Sequence, residues 1–63
     1  MDYIEHRIEE LFNLLENPIG VDAINVIHHK SLVKYLVDFE GSQEKFEAYK
    51  LRLYKIEDDL RLL

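Results

Sequence analysis

Proline and glycine, the residues that most often interrupt regular structure, occur in this chain only at Pro18, Gly20 and Gly41. They divide the 63 residues into three segments, and within each the apolar residues recur at intervals of three and four. That spacing gathers them on one side of a helix and would scatter them over both faces of a strand. The expected fold is all-α, a single domain over residues 1–63 with helices at about 2–16, 22–40 and 42–62.

In the first segment Ile4, Ile8, Leu11, Phe12 and Leu15 fall within about 100° of arc, a single apolar stripe. Asp2 and Glu5 occupy its first turn, where negative charge complements the helix dipole. Asn17-Pro18 with Gly20 marks its end, and Asp22 is placed to cap the next helix. The same residues allow a kink instead, with Asn17 as the cap and Pro18 at the first helical position.

The second segment has a broad apolar arc of Val21, Ile24, Ile27, Leu32, Tyr35, Leu36 and Phe39, and a second stripe of Val26, Val33 and Val37. Lys30, Lys34 and Asp38 are left on a narrow polar strip. A helix that is apolar on two sides has to be covered on two sides, by helices 1 and 3 or by another subunit. Gly41 is placed to end this helix and Ser42 to cap the next, and so short a joint implies an antiparallel hairpin.

Phe46, Tyr49, Leu53, Ile56, Leu60 and Leu63 then follow one another at alternating spacings of three and four, an unbroken heptad seam. Lys55 with Asp59, and Glu57 with Arg61, are set for pairing one turn apart on its flanks. Such a seam packs on helix 2 or lines a subunit interface.

A chain this short buries only about 60% of its unfolded surface, so its core alone gives little net stability. Cysteine is absent, which removes disulfides and thiolate-bound zinc and leaves a partner subunit as the expected reinforcement. The net charge of −5 is unevenly spread: residues 1–22 carry six acids against Arg7 alone, and residues 23–63 balance. An acidic first helix disfavours binding of phosphate backbones by the whole surface. The beginning Met1, Asp2, Tyr3 is unlike a basic signal peptide, and no apolar run reaches the roughly 20 residues of a membrane span. A soluble, cytoplasmic protein is expected.

Candidates for chemistry are few. His28 and His29 point about 100° apart on a helix and cannot share one ion; His28 is expected in a hydrogen-bonded interface and His29 in solvent. His6 with Asp2, Glu9 or Glu10 has ligand spacing, but the Glu-x-x-His pattern of a di-iron bundle is missing. Ser31 and Ser42 have no base and orienter assigned by spacing, and Gly20 and Gly41 form no phosphate loop. No enzymatic activity, cofactor or metal is expected.

The third segment reads Lys45-Phe46-Glu47-Ala48-Tyr49, then Lys55-Ile56-Glu57 with Leu60 at heptad spacing, after an opening Glu10-Leu11-Phe12 with Leu15. This arrangement resembles the small helical-hairpin proteins of spindle-shaped archaeal viruses, the fuselloviruses. The resemblance implies two hairpins paired into an antiparallel four-helix bundle, a homodimer, and an adaptor role between macromolecules in the host cytoplasm.

The expectation is thus an antiparallel hairpin with an additional N-terminal helix, dimerising into a four-helix-type bundle. Ile24, Leu32, Tyr35, Phe46, Tyr49, Leu53, Ile56 and Leu60 are expected in the core and interface. The acidic helix 1 is displayed outward, and Glu5 and Glu9, with Lys30 and Lys34, are the candidate partner-binding residues. The expected function is that of a small adaptor or regulator whose partners are itself and another macromolecule, protein rather than nucleic acid. Two alternatives stand beside it: structured-RNA binding by a basic face around Lys30, Lys34, Arg52 and Lys55, and scaffolding in assembly.

Overall fold

In a computed structural model, which describes residues 3–18, 20 and 22–62, the chain forms three helices: α1 Tyr3–Glu16, α2 Asp22–Val37 and α3 Gln43–Leu60. Asp2, Val21 and Leu63, which the sequence assigns to a first turn, an apolar arc and the end of the seam, lie outside the described residues. Pro18 belongs to no helix and Gly20 has φ +82°, a left-handed backbone that suits glycine. The break is therefore a loop and not a kink. The Asn13 carbonyl closes α1, accepting from the Asn17 backbone N–H at 3.1 Å and from Asn17 Nδ2 at 3.0 Å.

Side-chain pairs fix the helix directions. Tyr3 at the start of α1 meets Tyr35 near the end of α2, with ring centres 6.4 Å apart. Phe39, just past α2, stacks on Phe46 near the start of α3. Glu5 and Glu16, early and late in α1, pair with Lys45 and Arg52 in the same order along α3. The chain runs up, down and up, with α1 and α3 parallel neighbours.

The core is centred on α1. Ile8, Leu11, Phe12 and Leu15 are buried, together with Leu32 and Leu36 of α2 and Tyr49, Leu53 and Ile56 of α3. Each such aliphatic or aromatic side chain contributes roughly 1.5–3 kcal/mol by leaving water. Phe12 stacks on Tyr49 at 5.6 Å, and Tyr49 takes the ring of Phe39 edge-on at 5.4 Å. The expectation that α1 is displayed outward is overturned, because its apolar stripe lies between α2 and α3.

Helix α2 stops at Val37, short of the expected Glu40. Its last turn tightens through bonds from the Asp38 N–H to the Tyr35 carbonyl and from the Phe39 N–H to the Leu36 carbonyl, both at 3.2 Å. The Phe39 ring then folds over Gly41, where an added Cβ would collide with it. Gly41 serves this close approach and not a left-handed helix end, since Gly20 alone of the two glycines has positive φ. Ser42 caps α3 as expected, its Oγ accepting from the Lys45 N–H at 3.1 Å. At the other end Arg61 is left-handed, φ 54° and ψ 50°, and the N–H groups of Arg61 and Leu62 both return to the Glu57 carbonyl.

Candidate functional site

The seam between α1 and α3 is polar along its outer edge and centres on Arg52. Its Nη2 and Nε donate to the two carboxylate oxygens of Glu16 at 2.7 and 3.1 Å. Nη1 reaches Glu9 at 3.1 Å, and the guanidinium plane lies 4.3 Å from the centre of the Phe12 ring. Glu9, Phe12 and Glu16 sit one turn apart on one edge of α1, so a single side chain spans two turns of helix. Hydrogen bonding to Glu16, and then to Glu9, holds Arg52 still more firmly protonated.

One turn from Arg52 toward the start of α3, burial pushes the Tyr49 phenol up to about 12, with hydrogen bonding to Glu9 and the nearby Glu9 and Glu5 charges adding to it. At the top of the seam Lys45 pairs with Glu5, whose carboxylate raises the Lys45 ammonium above its usual range. On the opposite edge of α1, Arg7 pairs with Glu10 and lies 5.7 Å from the centre of the Tyr35 ring. That hydrogen bond from Arg7 depresses Glu10.

These pairs change the reading of the acidic helix. Glu5 and Glu9, expected to face a partner, are bound to Lys45 and Arg52 of the same chain. Three carboxylates of α1, Glu5, Glu9 and Glu16, are drawn to two bases of α3, Lys45 and Arg52, across the seam.

Among the residues expected in the core and interface, Leu32, Tyr49, Leu53 and Ile56 are buried, and Tyr35, Phe46 and Leu60 are half-buried. Ile24 is 40% exposed and lies outside the core. Helix α2 turns Asn25, Leu32 and Leu36 inward, and Ile24 falls about 80° outside that arc.

The histidines also depart from expectation. His29 is not solvated: its Nε2 lies 2.7 Å from Glu57 Oε2, and both side chains are largely buried. Glu57 accordingly turns inward and does not pair with Arg61, whereas the Lys55–Asp59 pair is present at 3.5 Å. His28 is half-buried, and its Nδ1 has no hydrogen-bond partner among the described residues. The His29–Glu57 contact has the form of a base and its orienting carboxylate. Glu57 holds its Nε2, but among the described residues no serine hydroxyl bonds a histidine. No group of three His, Asp or Glu side chains among the described residues is placed to hold a metal ion.

The outer sides of α2 and α3 are accessible, as are Tyr3 and Leu14 on α1. On α2, Val26 is 40% exposed, Ile27 61% and Val37 79%, and Lys30 and Lys34 lie between them with no ion-pair partner among the described residues. Of the second valine stripe only Val33 packs against the core. On α3, Leu51 is 71% and Tyr54 55% exposed, bordered by Glu44, Glu47 and Asp58. None of the described helices is long and apolar enough to cross a membrane. No protein-family profile, curated protein or solved structure matches the chain.

Proposed function

We propose that this domain is a non-enzymatic adaptor or regulator that works by protein–protein contact through the outer sides of α2 and α3. The observation that carries this reading is the exposure of Ile27, Val37, Leu51 and Tyr54 in a chain whose core is already filled by α1. Side chains of this kind, set on rigid helices with lysines and carboxylates around them, have the composition of an apolar interface centre with a charged rim. Enzymatic readings have less support, since among the described residues no serine hydroxyl bonds the best acid–base pair, His29 with Glu57.

Nucleic-acid binding by Lys30, Lys34, Arg52 and Lys55 is weakened by two of its four bases. Arg52 is held between Glu9 and Glu16, and Lys55 pairs with Asp59. Two remaining lysines neutralise about two phosphates, too few for tight binding at physiological salt.

A photo-crosslinking amino acid placed in turn at Ile27, Val37, Leu51 and Tyr54, in cells expressing the chain, tests the reading. Discrete protein adducts are expected there and none from the exposed α1 position Asn13. If all four outer positions stay free of adducts, the proposal is wrong.

A further inference from the structure

The two outer sides differ in charge. At 100° per residue, Val26, Ile27, Lys30, Lys34 and Val37 share about 100° of α2 opposite Leu32 and Leu36. No carboxylate lies between Asp22 and Asp38, so this face is apolar and basic. Glu44, Glu47, Leu51, Tyr54 and Asp58 share a similar arc of α3 opposite Tyr49, Leu53 and Ile56. Of the bases bordering that arc, Lys50 is drawn to Glu47, Lys55 to Asp59, and Arg61 lines a hollow with Tyr54 and Asp58, so the face is apolar and only weakly acidic, with carboxylates at its centre and bases on its rim.

We infer that the surface fits a second copy of the same chain, with the outer face of α2 on one copy docked against the outer face of α3 on the other. The inference rests on the interaction reading and names its partner. Packing α2 on α2 brings four lysines together, and packing α3 on α3 brings the carboxylates together; the crossed arrangement alone opposes unlike charges. Every copy carries both faces, so a twofold axis that engages the two together closes the assembly as a dimer, whereas a contact that engages one at a time leaves it open. Ile27, Val37, Leu51 and Tyr54 supply the apolar area, while the rim charges select which face meets which. A stable contact needs about 800 Å² per partner, roughly a sixth of the chain's 4632 Å² surface and within reach of two helix faces.

Light scattering of the full chain over a hundredfold concentration range tests the pairing, alongside two variants checked for unchanged helical circular dichroism. The wild type is expected to rise from 7.6 kDa to a plateau at twice that mass. Lys30→Glu/Lys34→Glu reverses one face and Glu47→Lys/Asp58→Lys the other, and each alone is expected to weaken dimerisation at least tenfold. Mixed in equal amounts, the two variants oppose unlike charges at both contacts and should regain the dimer mass as a heterodimer. The inference is overturned by a wild type that stays at 7.6 kDa throughout, by mass rising without a plateau, by an α3 variant that dimerises normally, or by a mixture that stays monomeric. A monomer that still crosslinks in cells to a different protein overturns this pairing alone and leaves the adaptor reading standing.

Discussion

His29 Nε2 and Glu57 Oε2 are 2.7 Å apart and 28 residues apart in sequence, and this contact is the polar tie between α2 and α3. The Phe39 ring, just past α2, packs on Phe46 and Tyr49 near the start of α3, and the His29–Glu57 contact joins the middle of α2 to the last turns of α3. Glu57→Ala leaves a largely buried imidazole nitrogen without its partner, which costs about 1–3 kcal/mol. Urea unfolding of Glu57→Ala, His29→Ala and the double variant should show a coupling of about 1 kcal/mol or more. Additive losses would mean that the two side chains act independently.

Arg52 is not replaceable by another cation. Lysine in its place keeps the charge but loses the two-oxygen grip on Glu16 and the flat contact with Phe12. Arg52→Lys should lower stability by about 1 kcal/mol. An unchanged urea midpoint would show that charge alone holds this seam.

The Tyr49 phenol gives the fold an alkaline limit. Its folded value of about 12 lies above the ordinary 10.0, so the folded state holds the proton more tightly than the unfolded one. The resulting stability is fully present below pH 10 and is lost as the pH rises from 10 toward 12, an upper bound of roughly 2–3 kcal/mol. Absorbance titration should find this tyrosine ionising late, and Tyr49→Phe should remove that phase. A titration in which all tyrosines ionise together near pH 10 would contradict the burial described.

Phe12 is fully buried and touches both the core and the Arg52 guanidinium. Phe12→Ala should cost about 3–5 kcal/mol. A domain of this size has a total stability of only about 3–9 kcal/mol, so the variant should lose most of its helical circular dichroism at 37 °C. Leu14→Ala, on the exposed side of the same helix, should leave the signal intact.

Arg61 adopts a left-handed backbone that costs a residue with a Cβ about 1 kcal/mol. Arg61→Gly should therefore raise the melting temperature by a few degrees while preserving the bonds to the Glu57 carbonyl. A lower melting temperature would point to a stabilising role for the arginine side chain.

Local features were legible in the sequence. The stripe of Ile8, Leu11, Phe12 and Leu15 obeys the helical period, and every one of these residues is buried. Ser42 sits where a cap belongs and forms the bond a cap forms. Longer-range relationships were not legible, because periodicity relates residues one turn apart and is silent on what lies opposite. Glu5 meets Lys45 across 40 positions and Glu16 meets Arg52 across 36, so a tally of acids in residues 1–22 points to a displayed helix where the fold makes one paired with α3. For the same reason spacing sends His29 to solvent and pairs Glu57 with Arg61, where the fold joins the two to each other. Helix α2, apolar nearly all round, gave no preferred inward side, which is why Ile24 was expected inside. Turn rules make Gly41 a helix terminator, because its role against the Phe39 ring depends on a packing contact that no such rule encodes.

An odd number of helices has a consequence for anything joined to this domain. Tyr3 and Leu62 leave from opposite ends of a body 32 Å long, because the middle helix returns the chain to the end where it began. Segments attached at the two ends are held apart by a stiff rod, with the broad flanks of that rod left open along its length.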